Sequence, residues 1–330
     1  MKKLIVIVAC LLFALVACTS PTQKKVAQAD LFFAQQDWDK AIASYTEAQE
    51  LDPKVGVNEK LAEAYAKRAR ESYKNNNYDG AISGYSKALQ FNPAIDVKAE
   101  LSQAYHARGM AYAKSGQPLT AISDYSRAIE LDPKYAEAYN NRGIAYTGER
   151  EYDKALLDYD KAIELDRSYK LAYLHRGLTW FMKSDFDRAI ADFTKATEID
   201  PRYADAYFWR GRSHDRNNEW YESIEDYTKA IDLGTTLYVI AYNNRGLAYS
   251  ETGQHSAAIE DFTKAIELDP SDWLVYYNRG AAYALVRAYP LALADLDRYL
   301  QLDVYDKFGA RSSAEGWKAY CLLHTKGLIR

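Results

Sequence analysis

Apolar and small residues recur along most of the chain at steps of three and four positions, which is the spacing of one face of an α-helix. Short polar breaks such as "KSGQ" (114–117) and "ETGQ" (251–254) separate successive helices. Five of the eight prolines in the chain follow an Asp or Asn at the end of a predicted helix, where proline stops the helix. The pattern therefore predicts a series of helix pairs. These prolines are Pro53, Pro93, Pro133, Pro201 and Pro270.

The pairs form an internal repeat. An Arg-Gly dipeptide occurs six times at spacings of 34, 34, 34, 35 and 34 residues, and each copy is followed by an Ala-centred run such as "TAISDYSRAIELDP". The same run occurs twice upstream with a period of 40, so we predict eight repeats. An extra amphipathic helix at 312–325, within a cap segment at 307–330, would cover the last one. The expected repeats lie near 22–61, 62–101, 102–135, 136–169, 170–203, 204–238, 239–272 and 273–306, within one domain of residues 18–330.

This repeat resembles the tetratricopeptide repeat family over roughly residues 22–306. The resemblance rests on the 34-residue period, the aromatic–x–x–Arg–Gly–x–x–aromatic first helix, and the Ala…Tyr/Phe…Ala second helix with its terminal Pro. It implies an all-α fold, a right-handed superhelical solenoid of eight helix pairs with a C-terminal capping helix. The first helix of each pair would then line a concave groove.

The arginine of each dipeptide has an Asp sixteen residues after it in the second helix. Repeat one has neither residue (Gln28 and Ser44), and repeat two has Arg68 with Gly84. Because the two residue types nearly always occur together, we predict structural ion pairs between paired helices, with a ligand-binding role for the Arg as the alternative. The six predicted pairs are Arg108/Asp124, Arg142/Asp158, Arg176/Asp192, Arg210/Asp226, Arg245/Asp261 and Arg279/Asp295.

The glycine of each dipeptide has no side chain, and the second helices carry Ala (Ser223 once) at a position expected to face it. Small residues on both sides would let the two helices approach closely.

The face of the first helices opposite this contact is expected to line the groove. In its middle the sequence places apolar residues at solvent-facing positions, bordered by polar ones, which is typical of a binding site for a peptide or small ligand. The alternative is that these residues pack between neighbouring first helices or against a second copy. A chaperone-binding Lys/Asn/Lys/Arg clamp is not matched, since Asn140, Phe208 or His106 fill its Lys positions. The candidate groove residues are Leu171, Leu174, Leu178, Phe181, Met182, Phe208, Arg212, Asn140 and Asn243.

The N-terminus has a positive start (Lys2, Lys3), an apolar stretch from Leu4 to Val16, and "LVAC" ending at Cys18. The stretch is too short to span a bilayer. It resembles the lipobox of bacterial lipoproteins, which implies a signal peptide at 1–17 and lipidation of Cys18. An ordinary secretory signal and an uncleaved anchor are the alternatives. Thr19, in place of Asp, resembles outer-membrane sorting in diderm bacteria.

Composition narrows the function further. The formal net charge is −4 and no basic stripe is present, which argues against nucleic-acid binding. We find no catalytic or metal-binding pattern and expect no enzyme, metal or cofactor. The expected function is an envelope lipoprotein, lipid-anchored at the outer membrane and facing the periplasm, that binds a protein or peptide as a scaffold or assembly adaptor. Alternatives are a small hydrophobic ligand-binding component of a periplasmic transport system and a self-assembling structural protein.

Overall fold

The computed structural model describes residues 20–302 and 311–326. These ranges contain 17 α-helices and no strand, which confirms the all-α fold class with eight helix pairs and one further helix. Cys18 and the expected signal peptide lie outside the described residues. None of the helices in the described ranges has both the length and the apolar character needed to cross a bilayer.

The chain divides into two compact units at Leu165 and Asp166. In unit 1, pairs 1 to 4 are α1 (Pro21–Ala34) with α2 (Trp38–Leu51), α3 (Asn58–Lys74) with α4 (Tyr78–Phe91), α5 (Lys98–Lys114) with α6 (Pro118–Leu131), and α7 (Ala136–Gly148) with α8 (Tyr152–Leu165).

Unit 2 has the same architecture and one further helix. Its pairs 5 to 8 are α9 (Lys170–Met182) with α10 (Phe186–Ile199), α11 (Ala204–Arg216) with α12 (Trp220–Asp232), α13 (Tyr238–Glu251) with α14 (His255–Leu268), and α15 (Trp273–Leu285) with α16 (Tyr289–Leu302); the cap helix is α17 (Arg311–Thr325). Within each unit the second helix of one pair packs on the first helix of the next.

The "ELDP" segments end the second helices. α6 ends at Leu131, and Asp132 then takes an extended backbone conformation. The Asp132 carboxylate accepts a hydrogen bond of 3.0 Å from the N–H of Lys134, two residues on, which closes the turn. Asp52 and Asp200 make the same contact. These acidic residues therefore shape turns.

Two first helices differ from the expected boundaries. α3 and α5 begin at Asn58 and Lys98, before the boundaries expected at 62 and 102, and each has 17 residues. The other first helices have 13 or 14. The extra residues of the first two periods thus lengthen α3 and α5 by about one turn at their N-termini. A buried valine, Val57 or Val97, immediately precedes each of these helices.

The glycines do not face alanine as expected. A Cβ built on Gly143 would lie 2.7 Å from the ring of Tyr159, the residue after Asp158. Gly177 and Gly246 meet the rings of Phe193 and Phe262 in the same way. In pairs 3 to 7 the glycine therefore makes room for a large buried ring of the second helix, because such a ring can pack against bare backbone, whereas Gly280 of pair 8 faces Leu296.

Candidate functional site

The structure brings all six predicted Arg/Asp pairs together as bidentate ion pairs, the arginine ladder. In each pair, Nε and Nη2 of the Arg donate to the two oxygens of the Asp at 2.6–2.9 Å. The guanidinium of Arg142 also lies over the rings of Tyr139 and Tyr146. Each ladder Arg is therefore held against the second helix of its own pair.

The acidic side of the ladder is buried. Each of its aspartates is only 4–6% exposed, so none of them is a site that a ligand could reach from solvent. This burial, together with the two bonds to each carboxylate, favours a structural role for the Arg, because its guanidinium already has partners within the fold. The six buried aspartates are Asp124, Asp158, Asp192, Asp226, Asp261 and Asp295.

A third contact of the ladder was not anticipated. Nη1 of Arg245 donates to the Thr228 hydroxyl of the preceding second helix at 2.9 Å, and Nη1 of Arg279 donates to Thr263 at 3.0 Å. Arg142 contacts Ser126 in the same way. One Arg thus joins three helices. The sequence does carry a pattern for this contact, because Ser or Thr stands two residues after the Asp in the second helices of pairs 3, 5, 6 and 7.

Four of the predicted groove residues are buried, contrary to the expected solvent exposure. Leu174, Phe208, Asn140 and Asn243, all two positions before the ladder Arg, are only 1–9% exposed. In unit 2, Leu174 packs with Trp209 of the next first helix, and Asn243 accepts a 2.8 Å hydrogen bond from Asn278. This position is covered because the next first helix lies against it.

The remaining candidates lie closer to solvent on unit 2. Leu171 and Met182 are 38% and 57% exposed, and Leu178, Phe181 and Arg212 are partly buried. We call the solvent side of the first helices the first-helix face. The exposed part of the predicted patch is thus smaller than expected and lies on α9 and α11.

Arg212 lies on two aromatic rings at the centre of this patch. Its guanidinium carbon is 5.4 Å from the centroid of Phe181 and 4.8 Å from that of Trp209, and the two rings contact each other edge to face. Within the described residues Arg212 forms no direct salt bridge, although its charge acts on the buried carboxylate of Asp215 and opposes the rise that burial causes in the pKa of that group. A partly desolvated guanidinium held in this way is suited to bind a carboxylate from outside.

Asp215, one turn further along α11, is occupied internally. It accepts hydrogen bonds from the hydroxyls of Ser223, at 2.5 Å, and Tyr227. Burial raises the pKa of Asp215 above its usual range, and the two hydrogen bonds oppose that shift. Ser223 is the one exception in its column of alanines, and Asp215 explains why a hydroxyl is needed there.

The two copies of "AYNNRG" build the same hydrogen-bond relay in each unit. In unit 1, the Asn140 amide donates to Asn141 at 3.1 Å, and Asn141 contacts Nε2 of His106 at 2.9 Å. In unit 2, Asn243 donates to Asn244, which donates to the hydroxyl of Tyr227. The first Asn is buried in both copies and the second reaches the surface. We expected the first Asn to face the groove, and the structure corrects this.

His106 is the acceptor that ends the relay of unit 1. Its other ring nitrogen, Nδ1, lies 3.0 Å from the hydroxyl of Tyr135. Burial lowers the pKa of His106 to about 4, so the imidazole is neutral near pH 7. The ring is a packed polar element of the interior. Within the ranges that the structure describes, no group of His, Cys, Asp or Glu could hold a metal ion.

The first-helix face of unit 1 has an open pocket of about 480 Å³. The exposed side chains of Met110 and Ile144 flank it, Asn141 of the relay lies at its side, and Gly148 leaves space in its wall. The sequence reasoning missed this pocket because it favoured the longer apolar run of unit 2.

Comparisons with known proteins agree with this architecture. Family models described as "Tetratricopeptide repeat" match residues 26–94, 136–169, 171–237 and 239–272, and one described as "TPR repeat" matches 109–148. No curated protein matches the chain.

Among solved structures, the chain is similar to YrrB, described as a TPR protein with an unusual peptide-binding site, with 25% identity over 58% of this chain and 97% of that chain and a TM-score of 0.52. The APC/C heterotetramer Cut9–Hcn1 matches at 17% identity over 90% of this chain and 55% of that chain (TM-score 0.52), which shows the fold alone. A Parabacteroides merdae tetratricopeptide repeat protein matches at 19% identity over 79% and 98% (TM-score 0.49). With matches across both units, and with eight helix pairs built on the repeat, the chain belongs to the tetratricopeptide repeat family.

Proposed function

We propose that this protein is a scaffold or assembly adaptor that binds a peptide segment of a partner protein on the first-helix face of unit 2. The observation that carries the proposal is Arg212, held on Phe181 and Trp209 and free of any ion pair in the described residues. Exposed apolar side chains, Leu171 and Met182, lie on the same face. The segment that fits has an apolar side chain close to a carboxylate.

The similarity to YrrB supports a peptide ligand, since that protein is described by its peptide-binding site. The rest of the chain supports a binding role through rigidity. The arginine ladder fixes the helix pairs, so the first-helix face of each unit is preorganised and loses little conformational freedom when a peptide binds.

The proposal includes a location, at the cell envelope with a lipid on Cys18 and the helical body facing the periplasm. Its support is the "LVAC" segment after a short apolar stretch. Metabolic labelling with an alkyne analogue of palmitate should mark the wild-type chain in the membrane fraction, and Cys18→Ser should abolish the label. Equal labelling of both chains would contradict the anchor at this residue.

The binding site is tested by crosslinking and pull-down from membranes. Leu171→Asp/Met182→Asp places two carboxylates on the patch at exposed positions, and Arg212→Gln removes the cation. We expect both variants to lose the partners that the wild type captures. Leu268→Asp is the matched control, because Leu268 is 53% exposed on a second helix of the same unit. An unchanged partner set in both patch variants would contradict the proposed site.

A second candidate function, binding of a small hydrophobic ligand for a transport system, is favoured by the pocket at Met110 and Ile144. Its volume of about 480 Å³ is that of a small-molecule site. Native mass spectrometry of the chain purified from its host should show a bound apolar molecule that Gly148→Leu excludes. A ligand-free spectrum would leave the peptide scaffold as the function.

A further inference from the structure

The cap helix α17 occupies the position of a ninth first helix. Ala314 and Cys321 are fully buried seven residues apart, as Val275 and Ala282 are in α15. In this register Lys318 stands where α15 has its ladder residue Arg279. Lys318 ion-pairs with Asp297 at 2.5 Å, and Asp297 stands two residues after Asp295, where other second helices carry the hydroxyl that receives an Arg. The ion pair between Lys318 and Asp297 thus joins α17 to the last pair at the position where an Arg and a hydroxyl join successive pairs.

An open pocket lies on the surface between α15 and the cap helix. The position two before the ladder residue carries a side chain in pairs 3 to 8, for example Phe208 and Tyr277. In α17 this position is the exposed Gly316, and a Cβ built on it would meet nothing within 4 Å. Gly316 borders the pocket, which has a volume of about 700 Å³. That size is in the range of ligand sites.

The pocket combines aromatic walls with one cation. Tyr277 lies on one side and Trp317 and Tyr320 on the other, while Arg287 and Ser313 add polar groups. Trp317 is fixed in place, because it packs against the apolar clusters that hold the cap. Aromatic rings prefer edge-to-face or offset contacts with another ring, so the aromatic lining of this pocket favours an aromatic ligand.

Arg287 is the polar counterpart of those walls. It is exposed and forms no ion pair within the described residues. Its left-handed backbone (φ 64°) is the turn conformation of the repeat, since Arg150 and Asn218 adopt it at the equivalent turns of other pairs. An unpaired guanidinium at the edge of an aromatic pocket has a carboxylate as its natural partner.

We propose that this pocket binds the C-terminal aromatic residue of a peptide. The ring enters among Tyr277, Trp317 and Tyr320, and the terminal carboxylate pairs with the guanidinium of Arg287. A C-terminal aromatic residue supplies ring and carboxylate within one residue, which an internal residue does not. The site is separate from the Arg212 patch and does not depend on it.

Isothermal titration calorimetry of the full chain tests the proposal with acetyl-Ser-Gly-Ser-Gly-Phe carrying a free carboxylate. We expect saturable binding that weakens at least tenfold when the carboxylate is amidated and at least tenfold when the terminal Phe is replaced by Ala. Equal affinities for the acid and the amide, or no saturable binding at millimolar peptide, would overturn it. An equal affinity for N-acetylphenylalanine would overturn the peptide assignment and indicate a small aromatic acid.

Two variants keep the fold while removing the site. Gly316→Leu places a side chain at the edge of the pocket, and Arg287→Gly removes the cation at a turn position where pairs 3 and 7 already have glycine. Both should melt at or above the wild-type temperature, because leucine has the higher helix propensity and glycine adopts the left-handed turn readily. Gly316→Leu should abolish binding and Arg287→Gly should weaken it at least tenfold. Wild-type affinity in Gly316→Leu would contradict the site. Arg212→Gln should bind this peptide normally, which separates the result from the scaffold proposal.

Discussion

Pairs 2 and 7 solve the same packing problem in different ways. In pair 7, Gly246 of the first helix faces the ring of Phe262, and Arg245 holds Asp261 of the second helix. In pair 2 the small residues are Ala69 on the first helix and Gly84 on the second, and a Cβ on Gly84 would lie 2.8 Å from that of Ala69. The close approach of two helices therefore needs small residues but no ion pair.

The arginines of the two pairs show what the ladder adds. Arg68 of pair 2 makes one exposed contact of 2.9 Å to Asp39 of the preceding second helix, and that carboxylate is 80% exposed. Arg245 holds its buried Asp261 with two bonds and also reaches Thr228 of the preceding second helix. The ladder thus adds a sheltered junction between successive pairs, whereas pair 2 has only a solvent-screened one.

The largest effect is expected from breaking the ladder on one side. Arg245→Met should lower the free energy of unfolding by about 3–5 kcal/mol, because it leaves Asp261 buried without its partner. Arg245→Met/Asp261→Leu should recover most of that loss, since both charges are gone. Denaturant unfolding of the two variants measures the difference.

Pair 2 provides the control for that experiment. Arg68→Met removes an exposed ion pair and a contact with the ring of Tyr65, and it should cost less than about 1 kcal/mol because it leaves no buried charge behind. If Arg68→Met and Arg245→Met destabilised the chain equally, or if the double variant were no more stable than Arg245→Met, the distinction between the two pairs would fail.

The next effect comes from the relays, which end on His106 in unit 1 and on Tyr227 in unit 2. Burial lowers the pKa of His106 from 6.5 to about 4. As the pH falls below 6.5, His106 therefore becomes protonated in the unfolded chain, whereas in the folded chain it stays neutral down to about pH 4. Stability should fall through this window by about 3 kcal/mol from His106 alone.

His106→Gln removes this titration and should make the stability profile between pH 6.5 and 4 less steep than in the wild type, while the slope from His175, whose pKa burial also lowers to about 4, remains. Unfolding free energies at a series of pH values measure it. His324 lies in the cap beside Tyr289 and Tyr320, so His324→Gln is the control for loss of a histidine outside the relay. Parallel profiles for the wild type and His106→Gln would contradict the neutral buried imidazole.

The sequence was sufficient for the fold and the ladder because both depend on repetition. A period of 34 and a fixed separation of sixteen residues are visible without coordinates. The burial of Phe208 and Asn243 could not be predicted from the repeat. A helical wheel shows the faces of a single helix, and these residues are covered by the first helix of the following pair. Ser223 is a single departure from a column of alanines, and its partner Asp215 is visible only in the folded structure.

A smaller effect is expected from filling the close contacts. Gly84→Ala and Gly246→Ala should each destabilise by about 2 kcal/mol, because the added methyl would meet Ala69 or the ring of Phe262 at under 3 Å. This loss exceeds the gain of about 1 kcal/mol in helix propensity.

Gly148→Ala is the control for both, since a Cβ there meets nothing within 4 Å and the gain in propensity should remain. Thermal melts of the three variants measure the contrast. If Gly84→Ala were neutral while Gly246→Ala was not, then close approach would belong to the ladder pairs alone.

The smallest expected effect isolates the bond between successive pairs. The hydroxyl of Thr263 donates to the carbonyl of Ile259 and accepts from Nη1 of Arg279, whereas Thr46, at the equivalent position of pair 1, donates only to Ile42. Thr263→Val and Thr46→Val remove the same local bond, and only Thr263→Val also removes the contact with an Arg. Thr263→Val should therefore cost about 1 kcal/mol more than Thr46→Val. Equal losses on denaturant unfolding would show that the hydroxyl contact contributes nothing, and that the ladder stabilises single pairs without joining them.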